Sequence, residues 1–128
     1  MLRRSLLLGL ALTAAAGSAR AAIFQPFTDQ ALGAAQEADK PILIAVHASW
    51  CPICAKQRPI IDSLMTRPEF KDLVILRVDF DAQKDIVQAL GVRKQSTLIA
   101  MHGSAERDRS VGVTAEDAIL ALMRKALT

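Results

Sequence analysis

The sequence predicts an α/β fold, a three-layer α/β/α sandwich in which helices cover both faces of a mixed central sheet. Two apolar runs, 42–48 and 73–80, lack the alternation of half-solvated strands and are typical of strands buried between helices. Helical patterns separate these runs, and a hairpin pattern and an amphipathic helix follow them. The chain length fits one domain with one core.

Local features of the sequence set the bounds of each predicted element. Thr28 supplies a hydroxyl that caps a helix, Gly91 ends another helix, and Pro59 should kink the helix that contains it. Gly103 and Ser104 join two strands in a hairpin. The predicted elements are, in chain order, helix 29–38, strand 42–48, helix 52–65, a helical turn 68–72, strand 73–80, helix 82–90, strands 97–101 and 107–111, and helix 114–127.

The first 21 residues are predicted to be a cleavable signal peptide, which leaves 22–128 as the folded domain. Arg3 and Arg4 precede an apolar stretch, 5–17, and Ala-Arg-Ala at 19–21 is a small-x-small cleavage site. The apolar stretch is shorter than the roughly 20 residues of a membrane-spanning helix. We therefore expect export to the periplasm, by the general or the twin-arginine route, without stable membrane insertion.

The charge of the chain argues against a nucleic-acid-binding protein. The sequence carries 16 basic and 13 acidic residues, for a net charge of +3. Arg3, Arg4 and Arg20 leave with the predicted signal peptide, so the remaining domain is close to neutral. A near-neutral domain lacks the electrostatic footprint that phosphate backbones require.

Cys51 and Cys54 are the only cysteines and form a Cys-x-x-Cys motif. This spacing places both sulfurs on one side of a helical turn, where one can attack a partner and the other can resolve the mixed disulfide. The pair lies between a predicted strand and a predicted helix, and a helix N-terminus lowers a thiol pKa. We predict that Cys51 is the exposed, low-pKa nucleophile and that Cys54 is the more buried resolving thiol.

Three segments of the chain resemble parts of the thioredoxin superfamily. Residues 48–54, Ala-Ser-Trp-Cys-Pro-Ile-Cys, resemble its active-site approach, and 78–81, Val-Asp-Phe-Asp, resemble the end of its next central strand. Residues 90–98, Leu-Gly-Val-Arg-Lys-Gln-Ser-Thr-Leu, resemble its loop opposite the active site. The similarity spans about 27–127 and is strongest to small exported thioredoxin-like proteins. It implies a thioredoxin-like fold and a thiol–disulfide oxidoreductase that exchanges disulfides with protein thiols.

The resemblance also implies which residues contact substrate and which partners the protein has. The expected substrate-binding residues are Trp50, Pro52, Ile53, Gln95, Ser96 and Thr97. We expect a monomer without a metal or other cofactor, which exchanges electrons with an upstream donor or acceptor protein. Reductase, oxidase and isomerase activities are all compatible with the motif.

Two positions depart from the pattern of the family. Ser96 stands where the family normally has a cis-proline, and the Gln95–Ser96 bond is expected to be trans because a non-proline cis bond costs about 2.5–4 kcal/mol. The resemblance implies weaker or more selective substrate docking at this loop and easier access for a metal. Ala45 stands where many thioredoxins have a buried aspartate that moves protons. His47 lies on the same strand face, as a possible proton relay or as a packed side chain without chemistry.

Two other function classes remain open at this level. One is a Cu(I)- or zinc-binding or delivery protein that uses Cys51 and Cys54, with or without His47, since soft thiolates suit Cu(I). The other is a binding module whose cysteines have no catalytic role.

Overall fold

The computed structural model describes residues 21–128. Residues 1–20 lie outside this range, so the signal peptide predicted for 1–21 and its cleavage site stay predictions. Among residues 21–128, no helix combines the length and the apolar character that crossing a membrane requires.

The described part of the chain folds around a five-stranded mixed sheet with the strand order β1-β3-β2-β4-β5. β1 and β2 both run parallel to β3, whereas β4 runs antiparallel to β2 and to β5. The elements are β1 (Ile23–Pro26), α1 (Asp29–Glu37), β2 (Pro41–His47), α2 (Pro52–Leu64), a 3-10 turn (Pro68–Phe70), β3 (Val74–Asp79), α3 (Lys84–Ala89), β4 (Thr97–His102), β5 (Ala105–Val111) and α4 (Glu116–Lys125).

Two apolar clusters, one on each face of the sheet, form the three layers that the sequence predicts. On one face, Leu43 and Ala45 of β2 pack with residues of α2 and α4. On the other face, Ile44 and Val46 of β2 pack with residues of α1 and α3. Successive side chains of a strand point to opposite faces, so the five residues 42–46 of β2 alternate between the two clusters, and His47 at the end of the strand is half-buried.

The structure also differs from the sequence-based elements in ways that have local causes. Strand β1 was not predicted, because four residues show no periodicity. Phe24 in this strand packs against one cluster, and Phe27 just after it lies in the other. Helix α3 begins at Lys84 rather than at Ala82, since the carboxylate of Asp79 accepts the backbone N–H of Ala82 at 3.0 Å in a turn. Helix α2 continues through Pro59 to Leu64.

The sheet brings together the two segments that the active site needs. The parallel strands β2 and β3 have their C-termini at the same end of the sheet. The chain passes there from His47 of β2 to Cys51 at the start of α2. Because β4 is antiparallel to β2, with Ala45 opposite Leu98, Ser96 just before β4 lies at this same end of the sheet. The Ser96 N–H donates to the Val46 carbonyl at 2.8 Å, which fixes the loop before β4 beside the cysteines.

Candidate active site

Cys51 is the N-cap residue of α2. Its backbone is extended, with φ −89° and ψ 112°, and Pro52 follows at the first helical position, where a missing N–H has no cost. The Cys51 Sγ accepts the backbone N–H of Cys54 at 3.1 Å. The sulfur therefore takes the place of the oxygen that usually caps a helix, and a hydrogen bond of this kind strengthens when its acceptor is ionised.

The prediction that Cys51 is exposed and less buried than Cys54 is wrong. Both are free thiols, and each residue is only 3% exposed. Capping turns the Cys51 sulfur back toward the helix, where it packs in a small cluster with Ala48, Cys54 and Phe80. Exposure therefore does not distinguish the two thiols, and their difference lies in their positions on the helix.

Cys54 lies one turn into α2, with its Sγ 3.9 Å from the Val46 carbonyl oxygen. Burial raises the pKa of the Cys54 thiol, and the adjacent Cys51 sulfur raises it further. Backbone hydrogen bonds from Ala48 and Ser96 act in the opposite direction. Cys54 therefore favours the neutral thiol until a proton acceptor is available.

The Gln95–Ser96 peptide bond is trans, as the sequence predicts, since residues 21–128 contain no cis peptide bond. Ser96 has φ +61°, a left-handed conformation that side chains rarely adopt, and is 3% exposed. Its hydroxyl donates to the Gln95 carbonyl, and its own carbonyl accepts the Gly112 N–H at 3.1 Å. Because its N–H bonds Val46, both backbone groups of Ser96 have partners within the fold.

Gln57 is a site residue that the sequence reasoning missed. Its side chain, at 3% residue exposure, donates from Nε2 to the carbonyl oxygens of Ser96 at 3.2 Å and Val113 at 2.9 Å. The amide therefore ties the helix that carries both cysteines to the loops on the other side of the site. A polar residue in the apolar stripe formed by Cys54, Gln57, Ile61 and Leu64 is the sequence signal that identifies it.

The other predicted substrate-binding residues divide into surface and interior positions. Trp50 is 57% exposed and donates from Nε1 to Asp81 Oδ2 at 2.7 Å, while Ile53 is 40% exposed and Pro52 lies beside it at the surface. Gln95 is half-buried. Thr97 is buried, and its hydroxyl donates to the Lys94 carbonyl at 2.7 Å, so this side chain holds the loop together.

His47 lies on the same strand face as Ala45, and both line a small cavity behind Cys54. The cavity has a volume of about 20 Å³, enough for one water molecule. Arg58 and Arg77 line it as well. Burial lowers the pKa of His47, the two arginines lower it further, and Asp79 opposes them, so His47 favours the neutral form.

Metal ligands are sparse in the described part of the chain. Within residues 21–128, no group of three or more His, Cys, Asp or Glu side chains is arranged to hold a metal ion. The metal-binding alternative therefore rests on the two thiols alone.

Comparisons with known proteins agree with this geometry. A family model described as Thioredoxin matches residues 25–125. A thioredoxin H-type of Brassica oleracea is 34% identical over 86 residues, covering 67% of this chain and 68% of the relative. A thioredoxin of Rickettsia felis is 25% identical over 91 residues, covering 71% and 86%. The crystal structure of Trxlp from Edwardsiella tarda superposes with a TM-score of 0.77 and 36% identity, covering 78% of this chain and 97% of that one.

Members of the matched family are thiol–disulfide oxidoreductases, which act on protein disulfides. This chain has the paired thiols at the start of α2, opposite the loop before β4. The match over residues 25–125 and this placement of the cysteines show that the chain belongs to the thioredoxin family and is a thiol–disulfide oxidoreductase.

Proposed function

We propose that the protein works outside the cytoplasm, where Cys51 attacks protein disulfides and Cys54 resolves the mixed disulfide. The observation that carries the assignment of roles is the hydrogen bond from the Cys54 N–H to the Cys51 Sγ at the first turn of α2. This donor points at the sulfur that attacks, at the end of α2 where backbone N–H groups lack partners within the helix. The raised pKa of Cys54 keeps its proton in place until the resolving step.

The exchange reaction moves two electrons from the cysteine pair to the partner. The Cys51 thiolate attacks one sulfur of a protein disulfide, which forms a mixed disulfide and releases the other sulfur as a thiolate. Cys54 then loses its proton and attacks the Cys51 sulfur. This step forms the Cys51–Cys54 disulfide and releases the second partner thiol. Both steps run in reverse when the oxidised protein meets a dithiol.

We further propose that His47 accepts the Cys54 proton through one water molecule in the cavity behind the thiol. His47 and Cys54 both line that cavity, and its size fits one water. The lowered pKa of His47 keeps the imidazole neutral and ready to accept a proton near neutral pH. His47→Gln, which keeps polarity without a base in this range, should slow resolution while leaving formation of the mixed disulfide unchanged.

Trapping of mixed disulfides tests the assignment of roles. Cys54→Ser should accumulate a covalent complex with a protein disulfide substrate such as insulin, because the resolving thiol is absent. Cys51→Ser should not accumulate it, and neither variant should complete insulin reduction. Equal trapping by the two variants, or trapping by Cys51→Ser alone, would contradict the assignment.

The proposal of export rests on the anatomy of residues 1–21: a basic start, an apolar stretch and a small-x-small site. Mass spectrometry of the protein from a periplasmic fraction should show an N-terminus at Ala22. An uncleaved chain in the cytoplasm or the inner membrane would refute the export proposal without affecting the exchange chemistry.

A further inference from the structure

Exposed apolar side chains of the described chain gather at the active-site end. Four large hydrophobic residues are exposed among residues 21–128, and Trp50, Ile53 and Val111 are three of them. Trp50 and Ile53 lie on either side of Cys51 in sequence. Val111 precedes Gly112, and a Cβ placed on Gly112 would lie 3.9 Å from the Ile53 Cδ1. Val111 is 54% exposed at the end of β5. These three exposed apolar side chains at the active-site end are available to a partner that approaches the cysteines.

The backbone beside this surface is already occupied by bonds within the protein. The Ser96 N–H bonds Val46, the Ser96 carbonyl accepts from Gly112 and Gln57, and the Gln95 carbonyl accepts the Ser96 hydroxyl. A partner chain that paired with these groups would have to break existing hydrogen bonds. Recognition by side chains is therefore favoured over strand-like pairing at Ser96.

A groove next to the apolar residues is bordered by positive charge. It has a volume of about 380 Å³ and is lined by Val92, Arg93, Lys94, Arg109 and Val111 among others. Arg93 and Lys94 are exposed, and neither has an ion pair or side-chain hydrogen bond with any residue in 21–128. Arg109, by contrast, is engaged by Glu106 and by the Leu90 carbonyl.

The acidic residues of the neighbouring strand do not cancel the charge of Arg93 and Lys94. Glu106 is paired with Arg109, and Asp108 is paired with Lys125 at 2.6 Å. The groove therefore presents two unpaired cations beside an apolar floor. Opposite charge on a partner would speed its approach and favour its orientation.

We propose that this surface docks an extended protein segment in which apolar residues and acidic side chains flank the reacting cysteine. The inference rests on the proposed exchange activity and deepens it by naming the substrate class. Apolar side chains of the segment lie on Ile53 and Val111, and its carboxylates face Arg93 and Lys94. The segment is selected by its side chains because the Ser96 backbone is not free to pair.

Three peptides that differ only in charge test this proposal. Each carries a central cysteine in a mixed disulfide with 4-nitrothiophenol, which has no charged group, an apolar residue beside it, and flanking Asp, Asn or Lys pairs. Cys51 attacks the peptide sulfur and releases the coloured aryl thiolate. Cys54 then displaces the peptide thiol and forms the Cys51–Cys54 disulfide. Stopped-flow absorbance gives the second-order rate constant of the first step.

The acidic peptide should react about ten-fold faster than the basic peptide at low salt, as expected for electrostatic steering. In 1 M salt, where the Debye length is about 3 Å, the difference should largely vanish. Arg93→Gln with Lys94→Gln should slow the acidic peptide and leave the neutral peptide unchanged. The matched control, Lys71→Gln with Arg107→Gln, removes two exposed cations at the opposite end of the sheet and should change neither rate.

Equal rates for the acidic and basic peptides, or equal effects of the two double variants, would overturn the proposal.

Evidence that something other than a protein segment occupies the surface would also overturn the proposal. Binding to anionic phosphatidylglycerol vesicles that only the Arg93/Lys94 variant loses, with unchanged peptide rates, would identify a lipid contact. Dimerisation in sedimentation that only this variant loses, again with unchanged peptide rates, would identify a second copy of the chain. Failure to release thiolate from any peptide would instead refute the proposed exchange activity.

Discussion

The side-chain amide of Gln57 lies 3.2 Å from the Ser96 carbonyl, and this single donor joins the cysteine helix to the loop that stands opposite it. The same Nε2 also reaches the Val113 carbonyl at 2.9 Å. Loss of this donor would leave the Ser96 carbonyl with the Gly112 N–H but would remove the Gln57 partner of the Val113 carbonyl, and an unpaired buried acceptor is costly. The Gln57 amide therefore acts together with the Ser96–Val46 hydrogen bond to set the relative placement of the thiols and the loop.

Replacing Gln57 with methionine should destabilise the protein by about 1–3 kcal/mol. Methionine keeps the length and flexibility of the side chain but removes the donor, so the Val113 carbonyl loses this partner. Urea unfolding of the reduced protein measures the change. Gln88→Met is the matched control, because Gln88 is exposed on α3, and it should cost less than about 0.5 kcal/mol. Equal losses in the two variants would show that the Gln57 amide has no special role.

The backbone of Ser96 predicts a difference between two substitutions that both remove its hydroxyl. Ser96→Gly should be more stable than Ser96→Ala by about 1 kcal/mol, because φ is +61° and a Cβ is unfavourable in that region. Both variants lose the hydrogen bond to the Gln95 carbonyl, so that loss cancels in the comparison. Urea unfolding of the two variants measures the difference. An alanine variant as stable as the glycine variant would contradict the left-handed conformation.

The bond from Trp50 to Asp81 predicts a spectroscopic change at the surface of the site. Trp50 is the only tryptophan in the sequence, so all tryptophan emission comes from the side chain that makes this contact. Asp81→Ala should release the indole and raise acrylamide quenching, whereas Asp81→Asn keeps a carbonyl acceptor and should stay close to the parent. The unfolding free energy should change by less than about 1 kcal/mol, since the bond is exposed. If both variants matched the parent in quenching, the indole would not be held by Asp81.

The lowered pKa of His47 predicts how stability depends on pH. The unfolded value is 6.5, and the folded value lies below it, so the unfolded chain binds this proton more tightly. The contribution of His47 is therefore fully present above pH 6.5 and is lost as the pH falls through the folded pKa. The free energy of unfolding of the parent should decrease over that window more steeply than that of His47→Gln.

An NMR titration of the His47 ring provides the direct check on this window. Arg77→Gln removes one of the charges that lower the pKa and should move the midpoint toward 6.5. A midpoint at or above 6.5 in the parent would reverse the sign of the expected effect.

The layers of the fold were predictable because the buried strands are apolar on both faces and helices separate them in the chain. Leu43 and Ile44, neighbours in β2, enter opposite clusters, as an uninterrupted apolar run implies. Strand β1 was not predictable by periodicity, since its four residues take their conformation from parallel pairing with β3. Its place at the edge of the sheet is a tertiary effect.

The candidate site was predictable where chemistry is local and not where it depends on distant contacts. The Cys51–Cys54 pair and the trans bond before Ser96 follow from residue type and spacing. The burial of Cys51 follows from the way its sulfur caps the helix, and the Cys-x-x-Cys spacing does not indicate in which direction that sulfur points. Gln57 acquires its role only when Val113, 56 positions further along the chain, comes within reach.

The Val46 carbonyl oxygen is an acceptor within reach of both the loop before β4 and the Cys54 thiol. It accepts the Ser96 N–H at 2.8 Å and lies 3.9 Å from the Cys54 sulfur. A reduced Cys54 shares this oxygen as a weak second donor, whereas formation of the disulfide removes the S–H and leaves the oxygen to Ser96 alone. The hydrogen bond that holds the loop therefore shares its acceptor with a thiol in the reduced protein and keeps that acceptor to itself in the disulfide form.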